Sequence, residues 1–465
     1  MTEASGAALE QALALAVTTA PAAKPVYENT RARKITRRGI IWLGQTCNLR
    51  CHFCYFLDRI ENEDHPEHGF MSWEKAKEIC RTLVDHYGNN SIDIQGGEPT
   101  LWPPIYDLVG FCAEIGLSPT IITNAQVLAN RATAARFHNS GLRDFLVSVQ
   151  GLGDVYDEIV GRPGAHVRQM KALFNLQEVG IPFRFNTVLT RPALDQLSGI
   201  ATLAVQTGAE VVNFLGFNPF NDQQTGKRST KNVPRYSELT QPLDEALDIL
   251  ASAGIEANVR YLPFCMVSER HWKSVYDFSQ IPYDLHENDF ASWSWTDLPA
   301  QRMGGAPLSA PVDLGPRLRL GALRAPLRRL AAEFPRVGEG LHQIKQSLEL
   351  RWAAPATGSS RDELSRDELR RDELYRKDAQ MRAREYTGYR HVGACSACDA
   401  RSICDGFYGD YANLFGEQEA RPIQLGGPVS DPHHFSKDQW KRIHPEDVGW
   451  LTRQAASNKA DANRA

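Results

Sequence analysis

Nowhere in its 465 residues does the chain sustain the run of about 18 apolar residues that a membrane-spanning helix needs. A bilayer span is excluded, and a soluble protein with no membrane partner is expected. The chain also lacks an excess of either charge: 52 Lys and Arg stand against 56 Asp and Glu, a formal charge of −4. With no global basic footprint, nucleic acid is not the expected partner. Two short basic stretches, 31–38 (RARKITRR) and 317–329 (RLRLGALRAPLRR), read as solvated faces or docking segments. The Ala-rich first 23 residues lack the basic start of a secretion signal, because Glu3 and Glu10 stand there and no Lys or Arg precedes Lys24. A disordered leader over 1–35 is expected instead. The nine cysteines are clustered and not spread at disulfide-framework spacings, which fits a reducing cytoplasm and metal ligation.

From Arg38 to about Gly254, short β-rich runs alternate with helical stretches, the pattern of βα units on a parallel sheet. Strands are expected at 39–44, 91–95, 119–123, 144–150, 183–189 and 211–217. Helices are expected at 72–87, 104–115, 129–140, 165–178, 194–207 and 236–253. Six strand–helix pairs suggest an α/β fold, a partial (β/α)6 TIM-like barrel spanning 36–254, with its chemistry at the C-terminal strand ends. Beyond Gly254 the rhythm breaks. A second domain is expected over 255–412, with one β-like run at 256–262, and a C-terminal tail without motifs over 413–465. Within a charged insertion near 355–385, three RDEL units repeat every five residues. Five residues turn a helix about 140° past a full turn, so Leu364, Leu369 and Leu374 cannot share one apolar stripe. An exposed helix or linker follows from that.

The chemistry begins at Cys47-Asn48-Leu49-Arg50-Cys51-His52-Phe53-Cys54, a C-x3-C-x2-C run. It supplies three thiolates where a tetrahedral centre or a [4Fe–4S] cluster wants four, so one iron of a cluster would stay open to an external ligand. A zinc site borrowing a distant ligand, or cysteines that are simply buried small residues, are the alternatives. The strand at 91–95 runs into Gly96-Gly97-Glu98-Pro99-Thr100, where the glycines permit tight turning and Glu98 offers an acceptor. Further strand ends carry Thr123 and Asn124, Ser148 and Gln150, and Asn186 with Thr187. Each of these could equally satisfy an exposed strand end. A second cysteine group, Cys395, Cys398 and Cys404, has C-x2-C-x5-C spacing, and with Cys265 it makes four thiolates. That set suits one fully ligated cluster or a four-cysteine zinc site. Cys80 and Cys112 fall in expected helices and read as core.

The three-cysteine run followed one βα unit later by GGEP resembles the signature of the radical S-adenosylmethionine (SAM) superfamily. The resemblance implies a [4Fe–4S] cluster on Cys47, Cys51 and Cys54, whose open iron is chelated by SAM and which cleaves SAM to a 5′-deoxyadenosyl radical. It places the Gly96 to Pro99 backbone at the SAM amino group and Phe53 near the adenine. Thr123, Asn124, Ser148, Gln150 and Asn186 would face the SAM carboxylate and ribose. Relatives commonly read TNG where this chain has Thr123-Asn124-Ala125, so the turn there is a departure. The 395–404 segment is similar to the core of the SPASM and twitch extensions, which carry auxiliary [4Fe–4S] clusters. A full SPASM pattern has a further cysteine where this chain has Tyr408, so one auxiliary cluster is implied, not two. The expected activity is hydrogen abstraction from a small-molecule biosynthetic substrate, with the auxiliary cluster in electron transfer and a reducing partner such as flavodoxin or ferredoxin. Modification of a ribosomally made peptide is the alternative, and a cluster-bearing scaffold a third reading.

Overall fold

The computed structural model describes residues 38–65, 67–85, 89–217, 230–281, 284, 388–439 and 441–442. The chain divides into two compact units, Met1–Leu308 with Arg382–Ala465, and Ser309–Met381; every described residue belongs to the first. The 1–35 leader, most of both basic stretches and the RDEL insertion lie outside the described residues.

Seven parallel strands form one sheet in sequence order: β1 (Arg38–Trp42), β2 (Ser91–Gln95), β3 (Ser118–Thr123), β4 (Asp144–Ser148), β5 (Phe183–Leu189), β6 (Val211–Gly216) and β7 (Glu256–Arg260). Parallel neighbours in strict sequence order are what right-handed βα crossovers generate, and the sheet curls into a partial TIM barrel. Nine α-helices accompany it among the described residues: α1 (Leu57–Glu61), α2 (Trp73–Asp85), α3 (Ile105–Glu114), α4 (Arg131–His138), α5 (Gly153–Val160), α6 (Ala165–Val179), α7 (Leu197–Thr207), α8 (Tyr236–Ser252) and α9 (Gly409–Phe415).

Alternation along each strand sorts side chains by face. Ile41, Ile94, Ile121, Phe145 and Phe183 sit in register across the first five strands and are buried in the helix-covered core. Each such burial stabilises the sheet by roughly 1.5–3 kcal/mol. The opposite, inward face carries most of the strands' polar residues. Deep in it, Arg38 pairs with Asp93 at 2.9 Å and Arg184 with Asp144 at 2.9 Å. Burial alone would raise the Asp144 carboxyl, but the Arg184 and Arg143 guanidinium groups and the Thr120 hydroxyl more than offset it and hold it at about 2. One level higher, Ser148, Asn186, Asn213 and Asn258 are successive partners across β4 to β7.

One expectation needs correction. The sheet has seven strands, not six: Glu256–Arg260 pairs along β6, so the barrel continues past the boundary placed at 254. Its short EANVR sequence has charged ends and only two apolar residues, which made it look isolated. The described part of the stretch after 413, expected only as a tail without motifs, is fastened to the rest of the fold. Its Glu419 carboxylate accepts from the Ser237 backbone N–H at 3.0 Å, at the start of α8, and from the Tyr411 hydroxyl. An anion there complements the positive end of the helix. Tyr411 in turn accepts from the Tyr236 N–H at 2.7 Å and stacks on that ring at 3.6 Å. Lys441 reaches the free edge of β7, donating to the Ala257 carbonyl at 3.1 Å and pairing with Asp284 at 3.2 Å. Residues 275 and 276 cover the rest of that edge, the Tyr276 N–H donating to Val259 at 3.0 Å. An edge strand is thereby shielded from pairing with another chain.

Candidate active site

Cys47, Cys51 and Cys54 lie on the loop that follows β1, all partly exposed. That loop is fastened from three sides. The Gly97 and Glu98 N–H groups donate to the Gly44 and Thr46 carbonyls at 2.8 Å each. A Cβ on Gly97 would sit 2.3 Å from the Thr46 oxygen, so the glycine lets the loop after β2 press onto the chain just before Cys47. From α5 the Val160 and Ile159 carbonyls accept from Arg50 N–H (2.9 Å) and His52 N–H (3.1 Å). Arg162 donates to the Asn48 carbonyl at 3.1 Å. From the end of β3, Asn124 Nδ2 donates to Asn48 Oδ1 at 2.8 Å and approaches Cys47 Sγ at 3.9 Å. The helix α5 is not legible in the sequence as a separate element, yet it carries this anchoring.

Glu98 is 1% exposed and spends its carboxylate inside the protein. It accepts from Asn124 N–H and Thr123 Oγ1 at 2.7 Å each, from Thr100 N–H at 3.1 Å, and from the Thr100 hydroxyl. Burial still pushes its carboxyl above the ordinary range against those four donors. The side chain therefore fixes the turn that aims Asn124 and is not an open acceptor at the mouth. Gln150 differs from expectation in the same way: its amide bridges the β5 backbone, Nε2 to Asn186 O at 3.1 Å and Oε1 from Val188 N–H at 2.8 Å. Asn124 also points back to the thiol loop. Ala125, where a glycine would be natural, adopts φ 63° and keeps the left-handed turn despite its Cβ. Pro99 starts a short 3-10 turn and is buried. Phe53 packs against the core with its ring edge-on to His52.

Ser148 and Asn186 remain half-exposed on the inward face. Among the described residues the Asn186 side chain has no hydrogen-bond partner. They belong to a ring that sequence reasoning covered only in part. At the C-terminal end of each strand the inward residue is half-exposed while its helix-facing neighbours are buried: Trp42, Gln95, Ile122, Ser148, Asn186 with Val188, Leu215 and Arg260. Period-two alternation counted back from the buried Ile, Val and Phe positions could have found the others.

The three thiols fit an iron–sulfur centre chemically. Burial, with the Glu98 charge next, pushes the Cys47 thiol up to about 12, and burial with the neighbouring Cys54 and Cys47 raises Cys51. Such thiols keep their protons at neutral pH unless metal cations replace them, as cluster iron does. Among the described residues no three His, Cys, Asp or Glu side chains converge closely enough to hold a single metal ion. A cluster distributes its thiolates over several irons and needs no common point of contact.

The second thiol group is drawn from distant segments. Cys265, Cys395, Cys398 and Cys404 line one cavity, closed by Phe264, Ala400 and Ile423 among others. Backbone N–H groups point at its sulfurs: Gly406 to Cys404 and Ile423 to Cys398, both at 3.4 Å. Burial pushes Cys265 up to about 11 and raises Cys404 and Cys395. Cys80 and Cys112 sit apart, fully buried in the core.

A parallel half-barrel with a three-thiol loop after its first strand defines a class of protein, and comparison with known proteins agrees. Residues 43–196 match the family model of the Radical SAM superfamily, so this part of the chain is a radical SAM domain. Among curated proteins, the AdoMet-dependent heme synthase of Oleidesulfovibrio alaskensis is 29% identical over 174 residues, 37% of this chain and 43% of that protein. The PqqA peptide cyclase of Methylorubrum populi is 30% identical over 174 residues, 36% of this chain and 42% of that protein. The chain thus spans less than half the length of these relatives. Among solved structures, Streptococcus suis SuiB bound to its precursor peptide SuiA aligns with a TM-score of 0.40 and 22% identity over 48% of each chain. No helix among the described residues is long and apolar enough to cross a membrane.

Proposed function

We propose that the chain is a radical SAM enzyme that abstracts hydrogen from a small, polar biosynthetic substrate held in the barrel mouth. The observation that carries this reading is the thiol loop fastened by β2, β3 and α5 beside a ring of partly exposed inward side chains at the C-terminal strand ends. Cys47, Cys51 and Cys54 would hold a [4Fe–4S] cluster, with Ser148, Asn186 and the Gly96–Gly97 backbone beside the SAM that binds it. When bound, the cluster and SAM supply the 5′-deoxyadenosyl radical. The protein's own part is orientation: Glu98 fixes Asn124, Asn124 and Arg162 fix Asn48, and the barrel wall limits water at the reacting carbon. Cys265, Cys395, Cys398 and Cys404 would hold one auxiliary [4Fe–4S] cluster, fully ligated and so fitted to pass electrons, with a flavodoxin- or ferredoxin-like reductant expected.

Relatives named for heme, coproporphyrin and GTP chemistry favour a small molecule. The PqqA peptide cyclases favour a peptide, which is the second reading. Anaerobically reconstituted protein treated with dithionite and SAM should release 5′-deoxyadenosine. Replacing Cys47, Cys51 and Cys54 by Ala should abolish that release. Release at the wild-type rate from the triple variant would remove the loop from the chemistry.

A further inference from the structure

The polar side chains of the inward face are spent within the chain on one side and not on the other. On β6 and β7, Asn258 Nδ2 donates to Asn213 Oδ1 at 2.9 Å, and the Arg260 guanidinium acts on the buried Asp277 carboxylate. On β4 and β5, Ser148 and Asn186 are register partners, and the proposed SAM accounts for both. A second pair has no such assignment. Trp42 and Gln95 end β1 and β2 as register partners, and both are half-exposed. Among the described residues, neither the Trp42 indole N–H nor the Gln95 side-chain amide has a hydrogen-bond partner. Ile41, Leu43 and Ile94 are fully buried on the helix side, which turns Trp42 and Gln95 inward.

The pair is braced from the thiol loop, and the charges around it are already matched. Phe56, two residues after Cys54, meets the Trp42 ring edge-on at 4.9 Å. Arg59 lies over the Phe56 ring at 5.0 Å and pairs with Glu67. Deeper on the same strands Arg38 and Asp93 pair with each other at 2.9 Å, and the Glu98 carboxylate is taken by its own donors. An ionised group set between Trp42 and Gln95 would lose water without gaining a counter-charge. A planar, uncharged amide fits better. Its oxygen can accept from the indole or from Gln95 Nε2, its N–H can donate to Gln95 Oε1, and its flat face can pack on the indole.

We propose that Trp42 and Gln95 are specificity-determining residues that hold an uncharged amide group of the substrate on the β1–β2 side of the barrel mouth. This deepens the radical SAM reading and rests on it. The amide can belong to a small lactam or to a peptide bond, and the test separates the two sources. Reconstituted, SAM-loaded protein is titrated by ligand-observed nuclear magnetic resonance with 2-piperidone, with N-acetylglycinamide and with acetate. At least one amide should bind more tightly than acetate, and the tighter amide gives the source. Gln95→Leu removes a donor and an acceptor and should weaken that amide about tenfold, whereas Trp42→Phe removes one donor and should weaken it about fivefold. SAM affinity should be unchanged in both variants, which also reports that they fold. Failure of both amides to outbind acetate, or unchanged amide binding in either variant, overturns the proposal. A tenfold loss of SAM affinity in either variant would assign the pair to SAM and overturn the proposal equally. Release of 5′-deoxyadenosine by wild type is scored independently, so failure of the underlying reading is recognised by itself.

Discussion

The two thiol groups draw on the chain over very different spans. Around Cys47 the three thiols share one loop after β1, fastened by backbone bonds to Gly97, Glu98, Ile159 and Val160 and by the Asn124 and Arg162 side chains. Around Cys398 and Cys404 the segments come from residues 264 to 423, joined by backbone N–H groups at the sulfurs, an apolar wall and the Gln280 amide, which donates to the Ile403 carbonyl at 2.7 Å. A site built within one loop needs only the strands beside it. One built from distant segments needs the chain between them to fold back. Hydrogen bonds to the sulfurs and exposure to solvent both tune cluster potentials, so the two sites should respond differently to the same perturbation.

The largest expected difference is in metal content. Wild-type protein should carry about eight irons after reconstitution, as two four-iron clusters, and replacing Cys265, Cys395, Cys398 and Cys404 together by Ala should leave about four. The electron paramagnetic resonance signal that remains should shift on adding SAM, whereas the signal left in the Cys47, Cys51 and Cys54 triple variant should not. Zinc in place of iron at the second group would end its proposed redox role.

Next in size is a perturbation confined to the barrel. Arg184→Met leaves the Asp144 carboxylate buried without its main partner, which should cost about 3–5 kcal/mol by urea unfolding. In wild type, Asp144 is held at about 2, below its unfolded value, so its contribution is complete above about pH 4 and is lost as pH falls toward 2. The loss should amount to about 2 kcal/mol, and Arg184→Met should flatten that acid limb.

Glu98→Ala separates fastening from ligand binding. It removes an acceptor for four buried donors and should cost about 2–3 kcal/mol of stability along with iron retention at the first site only. Asn186→Ala should instead weaken SAM about tenfold and change stability by less than about 0.5 kcal/mol. If Glu98→Ala weakens SAM but spares iron and stability, the carboxylate is a ligand after all. The smallest effect belongs to Ala125→Gly, which should raise the urea midpoint by about 1 kcal/mol equivalent by relieving the left-handed turn.

Much of this arrangement was legible in the sequence, and what was not shares a physical cause. All six expected helices and all six expected strands follow from local apolar runs, and their positions in the structure differ by only a few residues at their ends. The grouping of Cys265 with Cys395, Cys398 and Cys404 could be read from thiol count alone. The roles of Glu98 and Gln150 could not, because a polar residue at a strand end looks the same whether it meets solvent or the next strand. Lys441 and Glu419 were invisible for a related reason: their partners lie 183 and 182 residues away, and nothing local marks a tail residue as an anchor.

That last distance has a consequence for the order in which the molecule can be assembled. The open edge of β7 receives the Lys441 ammonium only after nearly the whole chain has been made. Contacts of such long sequence separation form late, since the loop between them must first be closed. Until then the Ala257 carbonyl at that edge lacks its partner, residues 275 and 276 already covering Val259, while the first thiol loop, whose fastenings to β2, β3 and α5 lie within about 115 residues, can be complete. During synthesis the three-thiol loop would therefore be in place well before that edge is covered, and a chain cut short ahead of Lys441 would keep the loop but leave part of the sheet edge exposed.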